Sequence, residues 1–561
     1  MVTAAVLYQE DGYNTSGRRL MGRQAASEGF LKAISSDATD EPLYCYTPTQ
    51  QSFQNFCQRV QPWLPPTRPL RWVPEEQPEG LSEPGVLYRP DPVLSQLAWQ
   101  RRYRNERSYS LCGVTHTLAS KETMAAMGDL LIAPVQPWDA VVCTSQTVKT
   151  TLEKALGEWA DYLAQRIGSR PQIPLQLPVI PLGVDCDVFP AGAIAQTARQ
   201  HLRQQLGIGA ADLVVLFVGR LIFHAKAHPV PMYLAVERAA QQVKQKVHLV
   251  QAGWFEDNRQ EAEFKGAAAQ FCPTANHLFV DGRQPQVRQM IWAIADVFIS
   301  LADNIQETFG LTPVEAMAAG LPVIVADWDG YQETVRHEVD GFRIPTLLPP
   351  PGCGLDFAAR YQSDRLNYST FVGHISLLTA IDVGACTAAL IRLLTTPELR
   401  QKMGEHGRQR ARAVYDWKVV FQAYKALWQE LGDRRQHAIG LAPLTPGRLP
   451  HPLCDDPFRQ LDHYPTRSLQ AGDRLILGEM AAPDQLQTLR ANWMVSFGAD
   501  WRISEAGINA LLESIAQAGS VTVAEVLHQF GQSVGQSDIV AQVYLCRTLV
   551  YLIKFDVLRL V

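Results

Sequence analysis

The run Glu307-Thr308-Phe309-Gly310-Leu311-Thr312-Pro313-Val314-Glu315 sets two carboxylates on either side of a loop that turns into a helix. Thr312 suits the N-cap, Pro313 the first helical position, and Glu315 the acid of a capping box. The N–H groups of Gly310, Leu311 and Thr312 then have no intrahelical acceptor, so this end of the element can receive an anion. A carboxylate on each side of such a pocket suits hydroxyls flanking a phosphate. A capping box alone would explain Glu315 and a surface loop would explain Glu307, so the surroundings decide.

Those surroundings read as strand, loop, helix and strand. Asp296–Leu301 is a short apolar run suited to a buried parallel strand. The helix from Pro313 stops at Gly320, and Leu321–Ala326 is the next strand, leading into the turn Asp327-Trp328-Asp329-Gly330. In open α/β sheets ligands bind beyond the carboxyl ends of the strands, where Glu307 falls.

Glu307 through Glu315 resembles the E-x7-E element of family 4 retaining glycosyltransferases, with its Phe-Gly-Leu centre, and Ala316–Ile324 continues the likeness. So do Phe217-Val218-Gly219-Arg220-Leu221 with Lys226 after it, and Ile180-Pro181-Leu182-Gly183-Val184-Asp185 between two halves. The similarity runs from the first strand to about residue 431. It implies a GT-B fold: two doubly wound Rossmann-like domains facing a cleft. Residues 1–185 would form the acceptor-side domain and 186–435 the nucleotide-sugar domain. The latter would carry an insertion at about 345–380 and end in a helix, Trp417–Leu431, that crosses back to the first domain.

Composition agrees with an enzyme of several domains. The 561 residues are 47% hydrophobic, and the formal net charge of −5 gives no global attraction to nucleic acid or anionic lipid. Ten cysteines without a CxxC pair argue against a zinc site or a disulfide framework. The start of the chain lacks a signal-peptide pattern, and no stretch of about 18 apolar residues spans a membrane. The expectation is a cytoplasmic protein, at most peripheral at the inner face of the membrane.

Strand candidates in the first half are Val2–Tyr8, Leu43–Tyr46, Ser108–Thr115 and Ala140–Cys143, alternating with helical patterns at Arg18–Ile34 and Gln146–Gln165. Proline clusters at Pro62–Pro69 and Pro78–Pro92 suggest irregular connections. The second half restarts with Leu213–Val218, Val247–Ala252, Leu278–Val280, Val297–Leu301 and Pro322–Ala326. Beyond Gly432, Pro443, Pro446, Pro450, Pro452 and Pro457 mark a linker over about 436–460. Residues 461–561 then hold helices Ser504–Gln517, Val523–Phe530 and Ile539–Ile553 and a strand Val557–Val561, a winged-helix-like, mostly helical module. Its last helix carries Arg547 as its only charge, which suits packing or a protein partner better than base reading.

Glycosyl transfer from a nucleoside diphosphate builds positive charge at the anomeric carbon and negative charge on the leaving diphosphate. Arg220 and Lys226 are the cations for the second, with Gly219 allowing close backbone approach. The resemblance implies that Glu315 holds the ribose hydroxyls and Glu307 those of the donor sugar. It also implies front-face attack, with a phosphate oxygen taking the acceptor's proton; spacing alone leaves double displacement open. Thr308, Phe309, Gly310, Leu311 and Thr312 would line the donor. From the first half, Gly12, Ser16 and Gly17 would turn the backbone toward the diphosphate. His116, which ends a strand, resembles a position facing the sugar, although a hydrogen-bonded structural histidine fits too.

Two Asp-x-Asp triplets, Asp185–Asp187 and Asp327–Asp329, invite a metal, but about one such triplet arises by chance in a chain this long, so no metal or other cofactor is expected. The patch Trp99–Arg107 suits an anionic acceptor or membrane headgroups, and a solvated helix face better still. The leading reading is a retaining hexosyltransferase using a nucleoside-diphosphate sugar and a glycan, lipid-linked or small-molecule acceptor. UDP is the commonest nucleotide, with GDP and ADP open. A phosphorylase or epimerase on the same fold, or a sugar-nucleotide-binding scaffold, are the alternatives; nucleic acid is not an expected partner.

Overall fold

The computed structural model describes residues 3–14, 22–189, 192–438, 440–442, 449–531 and 538–561. Ser16, Gly17, Pro443 and Pro446 lie outside them. The chain divides into a larger unit, Met1–His451, and a smaller one, Pro452–Val561.

The larger unit is built on two six-stranded sheets. The first contains β1 (Thr3–Leu7), β2 (Leu43–Thr47), β3 (Leu70–Pro74), β4 (Gly85–Tyr88), β5 (Ser110–Val114) and β6 (Ala140–Val142), in the order β3-β2-β1-β4-β5-β6. The second contains β7 (Leu213–Val218), β8 (Val247–Gly253), β9 (Asn276–Asp281), β10 (Val297–Ser300), β11 (Val323–Ala326) and β12 (Gly341–Ile344), in the order β9-β8-β7-β10-β11-β12. Every neighbouring pair is parallel. Both sheets thus share the doubly wound order in which the first and fourth strands lie side by side and the connections leave in opposite directions, opening a crevice at their carboxyl ends. The fold is α/β with two Rossmann-like domains. Continuous apolar runs such as Leu213-Val214-Val215-Leu216-Phe217 form central strands because helices cover both faces.

Three strands depart from the sequence expectation. β4 lies within, and β3 between, the proline clusters that suggested irregular connections, and β12 follows a segment with no strand signal. Pro74 is tolerated because β3 is an edge strand, and Pro84 directly precedes the four-residue β4.

The helix Trp417–His437 packs against the first domain, where Phe30 is ringed by Trp417, Phe421, Tyr424 and Trp428 at centroid distances of 5.1–6.3 Å. Arg435 near its end donates to Ser110 Oγ at 2.8 Å and to the Gly85 carbonyl. At its start the Trp417 ring fills space that no side chain could share. A Cβ on Gly183 would lie 2.3 Å from the ring, and one on Gly29 would lie 2.4 Å from its Nε1.

The insertion is not irregular. It folds as two helices, Leu355–Gln362 and Tyr368–Leu377, closed at the base by β13 (Thr346–Leu347) against β14 (Ala380–Ile381). Its tip reaches the first domain: Lys121 pairs with Asp364, and the Lys121 amide donates to the Tyr361 hydroxyl at 3.2 Å.

The smaller unit has helices Glu505–Ala518, Val523–Phe530 and Asp538–Lys554 on a three-stranded antiparallel sheet of β15 (Arg474–Leu477), β16 (Val521–Thr522) and β17 (Leu558–Leu560). Its core gathers Leu475, Leu511, Leu545, Leu549, Leu552 and Leu558. Two of the strands go beyond the single one expected. Among the described residues no helix is long and apolar enough to cross a membrane.

Candidate functional site

In the second domain the crevice opens between β7 and β10, and the chain leaving each strand carries the charged groups. β7 ends at Val218 and continues through Gly219 and Arg220 to Lys226; β10 ends at Ser300 and continues to Glu307. Lys226 Nζ and Glu307 Oε2 form an ion pair, with side chains 14% and 17% exposed. Burial opposes the Lys226 charge, but the Glu307 carboxylate outweighs it and holds the ammonium well above the usual lysine range. Arg220 lies beside them. Burial lowers its proton affinity, against the pull of Glu307. One Arg220 Nη donates to the Ala225 carbonyl at 3.0 Å, its only side-chain hydrogen bond among the described residues. Most of its fork therefore remains for an anion. A Cβ on Gly219 would come within 3.2 Å of Lys226 Cε, so the backbone passes close to the lysine stem.

The 307–315 element departs from the capping expectation. The helix spans Leu311–Ala318 with Gly310 as its cap, at φ 82° and without a side-chain bond. Thr312 is therefore inside the first turn, and Glu315 belongs to no capping box. The reason is steric: a Cβ on Gly310 would sit 1.8 Å from the Tyr331 ring, and one on Gly330 would sit 2.6 Å from Phe309 Cα and from the Thr308 carbonyl. The turn 327–330 is pressed against the loop, and only glycine passes. The amides of Leu311 and Thr312 still lack intrahelical acceptors.

Glu315 makes no hydrogen bond among the described residues. Burial pushes its carboxyl up to about 7, against Lys226 and Arg288. A half-buried carboxyl with no partner among the described residues is what a hydroxyl-bearing ligand would satisfy. Asp329, at φ 43°, is likewise pushed up to about 7 by burial and by Glu307, and its Oδ1 is buried without a hydrogen-bond partner among the described residues. Thr312 Oγ1 is buried beside the Tyr331 hydroxyl and makes no hydrogen bond of good geometry among the described residues. Phe309 is 2% exposed and packs on Tyr415 at 5.8 Å, so its ring belongs to the core of the second domain. Leu311 packs against the core of the second domain.

Thr308 connects the halves: its hydroxyl donates to the His116 carbonyl at 2.8 Å. His116 Nε2 lies 2.9 Å from the Pro90 carbonyl, which can only accept, so this nitrogen carries the proton. Burial pushes the imidazole down to about 4. The ring is neutral and half committed to structure, leaving Nδ1. Gly12 sits in the helical turn Glu10–Tyr13 with its amide donated to Gln9, so it provides no left-handed bend. A second tie links the halves. The Glu333 carboxylate accepts from the amides of Gln146 and Thr147, at 2.9 and 3.1 Å, at the start of the helix Gln146–Ile167.

Of the four Asp-x-Asp carboxylates, Asp185 forms an ion pair with Lys32, Asp187 with Arg412 and Lys418, and Asp327 with Arg343 at 3.5 Å. Among the described residues no three His, Cys, Asp or Glu side chains gather as metal ligands would. The basic patch is also largely spoken for. Arg101 is buried in a bidentate pair with Asp139, Arg102 pairs with Glu106, and Arg107 caps the crossing helix through the carbonyls of Arg435 and Gln436.

Residues 198–347 match the family model of the glycosyl transferases group 1. The second domain is a group 1 glycosyl transferase domain. The match ends at β13, where the insertion begins. The chain is 28% identical over 360 residues to the D-inositol 3-phosphate glycosyltransferase of Geodermatophilus obscurus, covering 62% of this chain and 75% of that protein. It is 22% identical over 275 residues to spore coat protein SA of Bacillus subtilis, covering 48% of this chain and 63% of that one. For several other curated relatives the chain spans little more than half their length. The solved structure of Anabaena HepE in complex with UDP aligns with 77% of this chain and all of its own, at 16% identity and a TM-score of 0.47.

Proposed function

We propose that the protein is a retaining glycosyltransferase that moves a sugar from a nucleoside-diphosphate sugar, UDP first among the nucleotides, to a hydroxyl of a glycan, lipid-linked or small-molecule acceptor. The observation that carries this reading is the placement of Arg220, Lys226 and Glu307 on the two loops that leave the central strands of the second domain, beside the amide end of the helix Leu311–Ala318. Two cations and a row of amides suit a diphosphate, and preorganised donors aimed at the leaving group are the largest catalytic contribution such a reaction needs.

In this reading the arriving diphosphate competes with Glu307 for Lys226. The carboxylate released from the lysine then turns to the donor sugar's hydroxyls and favours positive character at the anomeric carbon. Glu315 accepts from the ribose hydroxyls, which offsets its burial. The anomeric carbon–oxygen bond breaks as the acceptor oxygen approaches from the same face. The acceptor's proton passes to the phosphate oxygen that leaves. His116, neutral at all working pH values, serves the sugar through its Nδ1 and no positive charge. No step requires a metal.

The test is incubation with UDP-, GDP- and ADP-sugars, reading thermal shift and nucleotide release. Arg220→Ala is expected to lower release by roughly 100- to 1,000-fold, the range seen when one preorganised donor to developing charge is removed. Retained release by Arg220→Ala or Glu307→Ala would remove these residues from the site. Binding of a sugar nucleotide without release in the presence of varied acceptors would favour a scaffold instead.

A further inference from the structure

We propose that Tyr368, carried by the insertion, is a positioning residue for Arg220, and that the insertion acts as a brace for the cationic loop of the donor site. The inference rests on the donor-site reading above and adds a part of the chain outside the family-model match, which ends at Leu347.

The helix Tyr368–Leu377 touches the cationic loop and its support at three places. The Tyr368 hydroxyl donates to Gln306 Oε1 at 3.1 Å. Gln306 in turn donates through Nε2 to the Ala225 carbonyl, the same oxygen that holds the Arg220 guanidinium. A continuous chain of hydrogen bonds therefore runs from the insertion to the arginine. One turn further along, Gly373 packs so closely on His224 that a Cβ there would meet His224 Cβ at 2.8 Å. At the far end, Ser376 Oγ donates to Asp303 Oδ1 at 2.7 Å, and Asp303 Oδ2 accepts from the amide of His228, two residues beyond Lys226. Asp303 is 2% exposed, so this contact is shielded from water. The insertion thus supports the 220–228 loop on both sides of Lys226.

The chain also has directionality. Ala225 has one carbonyl and two donors. While Gln306 is fixed by Tyr368, its amide takes one lone pair of that oxygen, and Arg220 is limited to the other. Without the Tyr368 hydroxyl, the Gln306 side chain loses the bond that fixes its orientation. Arg220 is then free to settle deeper on the Ala225 carbonyl and turn its remaining N–H groups from the crevice. Tyr368 also lies within electrostatic reach of Arg220 and beside Thr117 of the first domain, next to His116. The stacked pair Tyr361–Phe371, 4.3 Å apart, and the Lys121 contacts fix the other end of the brace.

The experiment compares the full-length protein with Tyr368→Phe, Arg220→Lys and the double variant, using the sugar nucleotide that wild type turns over. Tyr368→Phe keeps the ring and is expected to leave the melting temperature within about a degree. It should lower kcat roughly fivefold to tenfold, the scale of one hydrogen bond, while the donor KM moves less than about twofold. In the Arg220→Lys background the same change should cost nothing further, because the group it positions is gone. A Tyr368→Phe enzyme with wild-type kcat overturns the inference, as does an undiminished loss in the Arg220→Lys background. Should wild type itself show no nucleotide-dependent shift and no release, the donor-site reading fails, and this inference with it.

Discussion

Replacing Lys226 with methionine tests the electrostatic arrangement of the crevice directly. The Lys226 and Glu307 side chains are both less than one-fifth exposed, and they form a close ion pair. At an effective dielectric of about 20 and a separation of about 3 Å, the Coulomb attraction is about 5 kcal/mol before desolvation is subtracted. Removing one partner of a buried pair costs about 3–5 kcal/mol, because the other charge is stranded. Arg220 softens this for Lys226→Met, since it remains as a second cation near Glu307. The expectation is therefore about 2–4 kcal/mol for that variant. Glu307→Gln strands Lys226 next to Arg220, which repels it, and should cost at least as much. The double variant Lys226→Met with Glu307→Leu should return to within about 1 kcal/mol of wild type, since apolar packing often replaces a buried pair at little cost. Urea denaturation followed by tryptophan fluorescence, arranged as a double-mutant cycle, measures the coupling.

The pH dependence provides an internal control. Lys226 has a folded-state proton affinity above its unfolded value, so its stabilisation is full below the usual lysine range and is lost only as pH rises past it. The coupling should then be constant between pH 6 and 9. Saturating nucleoside diphosphate should shrink it, as the ligand takes over the ammonium. Additive single-variant costs, or a Lys226→Met cost below about 1 kcal/mol, would refute the argument that the pair is buried and mutually dependent.

Gly310 and Gly320 share φ 82°, yet they should respond differently to alanine. Gly310→Ala drives a Cβ to 1.8 Å from the buried Tyr331 ring and should cost on the order of 3–5 kcal/mol, whereas Gly320→Ala meets only Arg408 Cδ at 3.8 Å and should cost about 1–2 kcal/mol, readable from denaturation midpoints. Glu315 has a folded pKa raised to about 7, so its neutral form contributes stability at acid pH that is lost as pH rises through 7. Glu315→Gln should accordingly gain about 1–3 kcal/mol on wild type between pH 5 and pH 8 in the absence of ligand; a constant difference would contradict the assignment. Arg101→Met, which strands the fully buried Asp139, should cost about 3–5 kcal/mol without altering donor KM, separating this arginine from any role at the surface.

The second sheet was legible because β7, β10 and β11 are buried on both faces and read as nearly unbroken apolar runs. β4 was hidden because its four residues lie between Pro84 and Pro90, and β12 because Gly341-Phe342-Arg343-Ile344 is a short edge strand. The helix start was misread by two residues: local propensity favours Thr312 as a cap, but Tyr331, distant in sequence, leaves room only for the positive φ of Gly310. The triple proline Pro349–Pro351 masked the helices behind it, although Asn367 does cap the second of them, accepting from the Thr370 amide at 2.9 Å. The basic patch misled because Asp139, which buries Arg101, lies 38 residues away and leaves no trace in local spacing.

Glu333 belongs to the second domain, yet it completes the hydrogen bonding at the first turn of a 22-residue helix in the first. Any swing that parts the two halves must leave the amides of Gln146 and Thr147 to water. Exchange of those two backbone protons with deuterium therefore counts crevice openings, residue by residue, in a protein carrying no label. Slower exchange there on adding a sugar nucleotide would mean that the ligand draws the halves together.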